Sequence, residues 1–116
     1  MPEKATLAQL EMAQAVVYDY LKPTPEICWP LLSQRCGCEV WVKHENHTPT
    51  GAFKVRGGLN YLNDLCKNNT PVSGIISATR GNHGQSLAFA CAQKGVPLTI
   101  IVPNGNNPEK NQSMKA

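Results

Sequence analysis

Charge is scarce in this sequence. Asp, Glu, Lys and Arg together make up 16% of its 116 residues, against roughly 25% in an average soluble protein. No block of like charge stands out, and 41% of the residues are apolar, which excludes a disordered tail. The net charge of +3 comes without a Lys/Arg cluster, so the footprint of a nucleic-acid binder is missing too. Long hydrophobic runs are also lacking: Leu87-Ala-Phe-Ala-Cys-Ala92 and Leu98-Thr-Ile-Ile-Val102 are far too short for a membrane span. The opening Met-Pro-Glu-Lys has neither the basic start nor the apolar stretch of a signal peptide. These absences predict a soluble, cytoplasmic protein of mixed α/β type, with no nucleic-acid or membrane partner.

Five cysteines, Cys28, Cys36, Cys38, Cys66 and Cys91, are an odd number in a chain without an export signal. Reduced and mostly buried thiols are expected, not a disulfide framework. Cys36 and Cys38 with His44 and His47 downstream resemble a scrambled metal site. However, the stretch from Cys38 to His44 alternates like a strand and holds its ends roughly 20 Å apart, so no metal is expected.

Along the chain, Thr6 with Gln9 forms a capping-box pattern, and Leu7, Leu10, Val17 and Leu21 predict an amphipathic helix to about Tyr20. Pro23, Pro25 and Pro30 impose an extended path. A short helix over Leu31 to Arg35, closed by Gly37, and a strand over Glu39 to His44 follow. Val55, Leu59, Leu62 and Cys66 lie on one face of a helix to about Lys67. A strand at Gly74 to Ala78, a helix at Gln85 to Lys94 closed by Gly95, a strand at Val96 to Val102 and a helix start near Pro108 complete the pattern. The alternation predicts a parallel βαβαβ sheet flanked by helices, with 1–37 as helix and proline-rich lead-in and 38–116 as a three-strand α/β core. Ligands in such sheets collect at the carboxyl ends of strands, here the loops after His44 and after Thr79.

Each loop has one odd feature. Lys54 sits just inside a helix N-terminus, where the positive end of the dipole disfavours an ammonium but suits a nitrogen serving as neutral nucleophile or imine. Gly51 lets the backbone approach a ligand closely, and Gly57-Gly58 removes side-chain bulk near Lys54. Thr79-Arg-Gly-Asn-His-Gly-Gln-Ser86 lies between a strand and a helix, where its amides suit an anion. It is neither a Walker loop nor a dinucleotide fingerprint.

Together, Lys43-His-Glu-Asn46, Pro49-Thr-Gly-Ala-Phe-Lys-Val-Arg-Gly57 and Ser77-Ala-Thr-Arg-Gly-Asn-His-Gly-Gln-Ser86 resemble the pyridoxal-phosphate enzymes of fold type II. These share the tryptophan synthase β-like fold, and the match lies nearest the serine/threonine dehydratase and serine racemase branch. The resemblance runs over about residues 24 to 116, since Thr24-Pro25 and Val102-Pro103 through Pro108-Glu-Lys110 also fit. It implies an incomplete fold type II domain in which Lys54 holds the cofactor as a Schiff base and later takes the substrate α-proton. By the same resemblance Phe53 packs beside the cofactor ring and Asn82 bonds its phenolic oxygen. Thr79, Arg80, Gly81, Asn82 and His83 form the loop gripping the substrate carboxylate.

The implied reaction is α,β-elimination of a small hydroxy amino acid to a 2-oxo acid and ammonia. Racemases of the family carry a proton-handling serine where Arg80 stands; a guanidinium cannot replace it, so elimination is expected. Arg80 could instead read a second carboxylate, as in hydroxyaspartate, or simply face solvent. Ala52 occupies a position where many relatives have serine. The family's phosphate-cradling glycine-rich loop and its pyridine-nitrogen partner have no counterpart here. The sequence therefore reads as the N-terminal third of such an enzyme, inactive alone, from a parent expected to be a homo-oligomer. Two other readings stay open: a β-replacement enzyme or racemase of the same fold, and a non-enzymatic α/β anion-binding module.

Overall fold

Local signals account for most of the helices. The computed structural model describes residues 4–67 and 71–115, so the first three residues and Ala116 lie outside it. Helix α1, Leu7–Tyr18, opens on the expected capping box, with the Gln9 amide donating to Thr6 Oγ1 and the Thr6 amide to Gln9 Oε1. Helix α2, Pro30–Cys36, starts on proline and ends at Gly37 in the left-handed region (φ 71°), where a Cβ would be strained. Helix α3, Lys54–Lys67, α4, Asn82–Lys94, and α5, Pro108–Lys115, follow. Helix α4 begins three residues before its expected start at Gln85. Gly84 inside its first turn disguises the helix, because glycine is a poor helix former.

The strands are β1 (Glu26–Cys28), β2 (Trp41–Lys43), β3 (Ile75–Ala78) and β4 (Leu98–Ile101). The α/β class holds, but the expected three-strand parallel sheet is corrected. Strands β3 and β4 pair in parallel, Ile75 opposite Leu98, as the crossover through α4 requires. Strand β2 instead pairs antiparallel with β1, Ile27 opposite Val42, in a separate two-stranded sheet. The cause lies in the lead-in: proline holds it extended beside β2, where the Pro25 carbonyl accepts from the His44 amide.

The core lies where α3 and α4 meet the end of α1. Val17, Leu21, Val55, Leu59, Leu62, Leu87, Ala90 and Cys91 are buried there. The predicted α3 face is therefore correct except at Cys66, which is exposed on the last turn. The expectation of mostly buried thiols is likewise corrected. Only Cys91 is fully buried and Cys28 is half-buried; Cys36 and Cys38 are exposed because the β1–α2–β2 segment adds nothing to the core, and Cys66 is exposed on the last turn of α3. Leu7, Leu10, Ile76 and Ile101 remain exposed. No helix among the described residues is long and apolar enough to cross a membrane, and none of their His, Cys, Asp and Glu side chains cluster to hold a metal.

Helices α3 and α4 touch backbone to backbone at Gly58. A Cβ there would strike the Ser86 hydroxyl and stand 3.0 Å from the Ser86 carbonyl oxygen, which no rotamer change relieves. Gly58→Ala is expected to gain about 1 kcal/mol in helix propensity but to lose more to overpacking, for a net loss of roughly 1–2 kcal/mol. Urea unfolding at neutral pH measures it; undiminished stability would contradict this packing.

Candidate functional site

The segment that presents Lys54 is tied to itself. Thr48, buried, accepts from the Ala52 amide at 3.0 Å and donates its hydroxyl hydrogen to the Ala52 carbonyl at 2.9 Å. The Gly51 amide donates to the Thr48 carbonyl, and Gly51 holds φ at 66°. The left-handed backbone favours glycine here, and nothing among the described residues lies within 4 Å of a Cβ built at Gly51. The clipped turn delivers Phe53, exposed, and Lys54 as the first residue of α3. The Lys54 side chain is exposed and has no hydrogen-bond partner among the described residues.

An ion pair braces the same turn from outside. Arg56 donates to Glu45 twice, Nε to Oε2 at 2.6 Å and Nη2 to Oε1 at 2.9 Å, and the Thr24 hydroxyl donates to Oε1. The Arg56 guanidinium also lies 6.0 Å from the centre of the Tyr18 ring. The lead-in, the 3₁₀ turn at Glu45–His47, helix α1 and the start of α3 thus meet on one bidentate pair. The bonds from Arg56, with that from Thr24, outweigh partial burial and lower the Glu45 carboxyl from 4.5 to about 2.

The second loop leads from β3 into α4. The Thr79 hydroxyl accepts from the Gly81 and Gly84 amides, each at 3.2 Å, and so shapes the loop. The first-turn amides of Asn82 and His83 have no partner among the described residues. They form a donor pair at the positive end of a 13-residue helix. Arg80 is exposed. Asn82 Oδ1 accepts from Lys110 Nζ at 2.9 Å.

The two loops meet through Ser86. Its buried hydroxyl donates to the main-chain carbonyl of Lys54 at 2.6 Å, across 32 positions of sequence. Phe53, Lys54, His83 and Ser86 consequently line one open cavity of about 500 Å³. Asn82, Thr79, Arg80 and Gly81 stand outside that lining. The structure therefore gathers Lys54, Phe53 and His83 most closely, with Asn82 at the adjoining helix end. Sequence reading passed over Thr48, Glu45, Arg56, Ser86 and Lys110 as working parts. Glu45, Arg56, Ser86 and Lys110 fall inside the matched segments but their partners lie 11 to 32 positions away, and Thr48, whose partner Ala52 is four residues on, falls between two of those segments.

An exposed, unpaired lysine nitrogen, an aromatic ring and free helix amides are a donor set that fits an anionic aldehyde cofactor and an amino-acid carboxylate. Comparison with known proteins agrees. The sequence pattern of a family described as "Pyridoxal-phosphate dependent enzyme" matches residues 17–116. The biosynthetic L-threonine dehydratase of Corynebacterium glutamicum is 35% identical over 96 residues, covering 83% of this chain and 22% of that protein. Serine racemase of Bos taurus is 33% identical over 100 residues, covering 84% of this chain and 30% of that protein. A solved pyridoxal 5'-phosphate-dependent aspartate racemase superposes with a TM-score of 0.88 at 28% identity, over 99% of this chain and 37% of the other. The chain thus spans less than a third of the length of those two curated relatives.

Because the Glu45 carboxyl is lowered from 4.5 to about 2, its contribution is complete above about pH 4.5 and fades as pH falls towards 2. Glu45→Gln is expected to cost on the order of 1–3 kcal/mol at pH 7. The gap from the parent protein should close on acidification, as denaturant midpoints measured across pH will show.

Proposed function

Because the chain belongs to the pyridoxal-phosphate dependent enzyme family, we propose that it carries the reactive lysine and carboxylate loop of an ammonia-lyase acting on a small hydroxy amino acid. The observation that carries this reading is the Ser86 hydroxyl on the Lys54 carbonyl, which joins the two loops at one cavity. When bound, the cofactor supplies an electron sink for the bond changes at the substrate α-carbon.

The chain's own residues do the rest. The Lys54 nitrogen would hold the cofactor, and as a free amine it would take the substrate α-proton. Phe53 would flank the cofactor, and the Asn82 carboxamide would donate to its phenolic oxygen. The Asn82 and His83 amides bind the substrate carboxylate, and the positive end of α4 strengthens both contacts. Loss of the β-hydroxyl as water, followed by hydrolysis, yields a 2-oxo acid and ammonia.

Racemisation is the second reading, favoured by the similarity to serine racemase and to the aspartate racemase structure. Arg80 weighs against it. The exposed guanidinium stays protonated and is a poor shuttle for the second proton that racemisation needs.

Incubating the complete gene product with L-serine and with L-threonine separates the two. The proposal expects a 2-oxo acid and ammonia in equal amounts and little D-amino acid. Lys54→Ala is expected to lower the rate by about 10³-fold or more. A D-enantiomer as the main product would favour the racemase, and wild-type rates in Lys54→Ala would overturn both readings.

A further inference from the structure

We propose that Lys110 is a positioning residue for this site: its ammonium turns the Asn82 carboxamide so that the amide nitrogen, not the oxygen, is presented to the ligand. The inference rests on the functional reading above, which puts Asn82 against the cofactor's phenolic oxygen. Lys110 Nζ lies 2.9 Å from Asn82 Oδ1. An ammonium only donates, so the carboxamide must offer its oxygen to Lys110 and keep its two N–H groups free. A free carboxamide has no such preference and would spend part of its time with its oxygen towards an anionic ligand, where it repels.

Lys110 is itself held in place. Its stem lies along Gly81, with Cδ 3.2 Å from where a Cβ of Gly81 would stand. Its amide donates at 3.1 Å to Asn107 Oδ1, which also accepts from the Glu109 amide at 2.8 Å and so caps α5. Asn106 Nδ2 donates to Asn111 Oδ1 at 2.6 Å and pins the same turn. The ammonium is thus on the first turn of one helix and against the first residue of another. A cation between two positive helix ends is poorly placed by itself, and an anion bound there would relieve it.

The test uses the complete gene product and its variants Lys110→Met, Lys110→Arg, Asn82→Ala and Lys110→Met with Asn82→Ala. Pyridoxal phosphate is titrated into each, and the pH midpoint of the bound cofactor's visible band is recorded. Lys110→Met is expected to weaken cofactor affinity about tenfold and to raise the midpoint, because a donor to the phenolic oxygen is lost. Lys110→Arg should restore most of both values. In the Asn82→Ala background, Lys110→Met should change neither, since it acts through that carboxamide. Parent-like affinity and midpoint in Lys110→Met, or an undiminished effect in the Asn82→Ala background, would overturn the proposal while leaving the functional reading intact. A parent protein that develops no cofactor band would overturn both.

Discussion

One buried hydrogen bond organises the molecule: the Ser86 hydroxyl on the carbonyl of Lys54. It exists only because Gly58 has no side chain, which lets α3 and α4 approach until Ser86 reaches the other backbone. A buried hydroxyl without a partner is costly, so the bond holds the two helices in one relative position. Burial of Val55, Leu59, Leu62, Leu87 and Ala90 follows from that contact. Lys54 and His83 consequently share a cavity although they belong to loops far apart in the chain.

The site's electrostatics are arranged around this join. Helix α3 starts at Lys54 and α4 at Asn82, and α5 carries Lys110 on its first turn. Each contributes the positive end of a dipole, and two contribute an ammonium as well. Positive helix ends attract anions, which suits a phosphorylated cofactor and an amino-acid carboxylate. The Glu45 carboxylate is engaged by Arg56 and Thr24 and braces the Lys54 turn.

How much was legible in the sequence depended on the range of the interaction. The Thr6–Gln9 capping box and the left-handed glycines at Gly37 and Gly95 are local signals, and the helix ends they mark match the structure closely. The loops holding Phe53, Lys54 and His83 were legible as motifs, and the structure brings those three residues to one cavity. The partner of β2 was not legible, because alternation reveals a strand but not its neighbour, and β1 is only three residues long between prolines. The inward turn of the Thr79 hydroxyl and the reach of Lys110 to Asn82 were hidden for the same reason. Each depends on where a loop or a distant helix ends up, which no local pattern records. Cysteine's usual burial does not extend to Cys36 and Cys38, whose segment lies outside the core, or to Cys66, on the last turn of α3 beyond its buried face.

The central claim is that this fold makes one lysine, Lys54, the point of cofactor attachment. Reductive trapping addresses it directly: the complete gene product is treated with pyridoxal phosphate and borohydride, and the modified lysines are mapped by peptide mass spectrometry. The account predicts modification concentrated on Lys54, with exposed lysines such as Lys22 and Lys115 essentially unlabelled at the same cofactor concentration. Labelling spread over the exposed lysines, or a dominant adduct elsewhere with Lys54 unmodified, would contradict it.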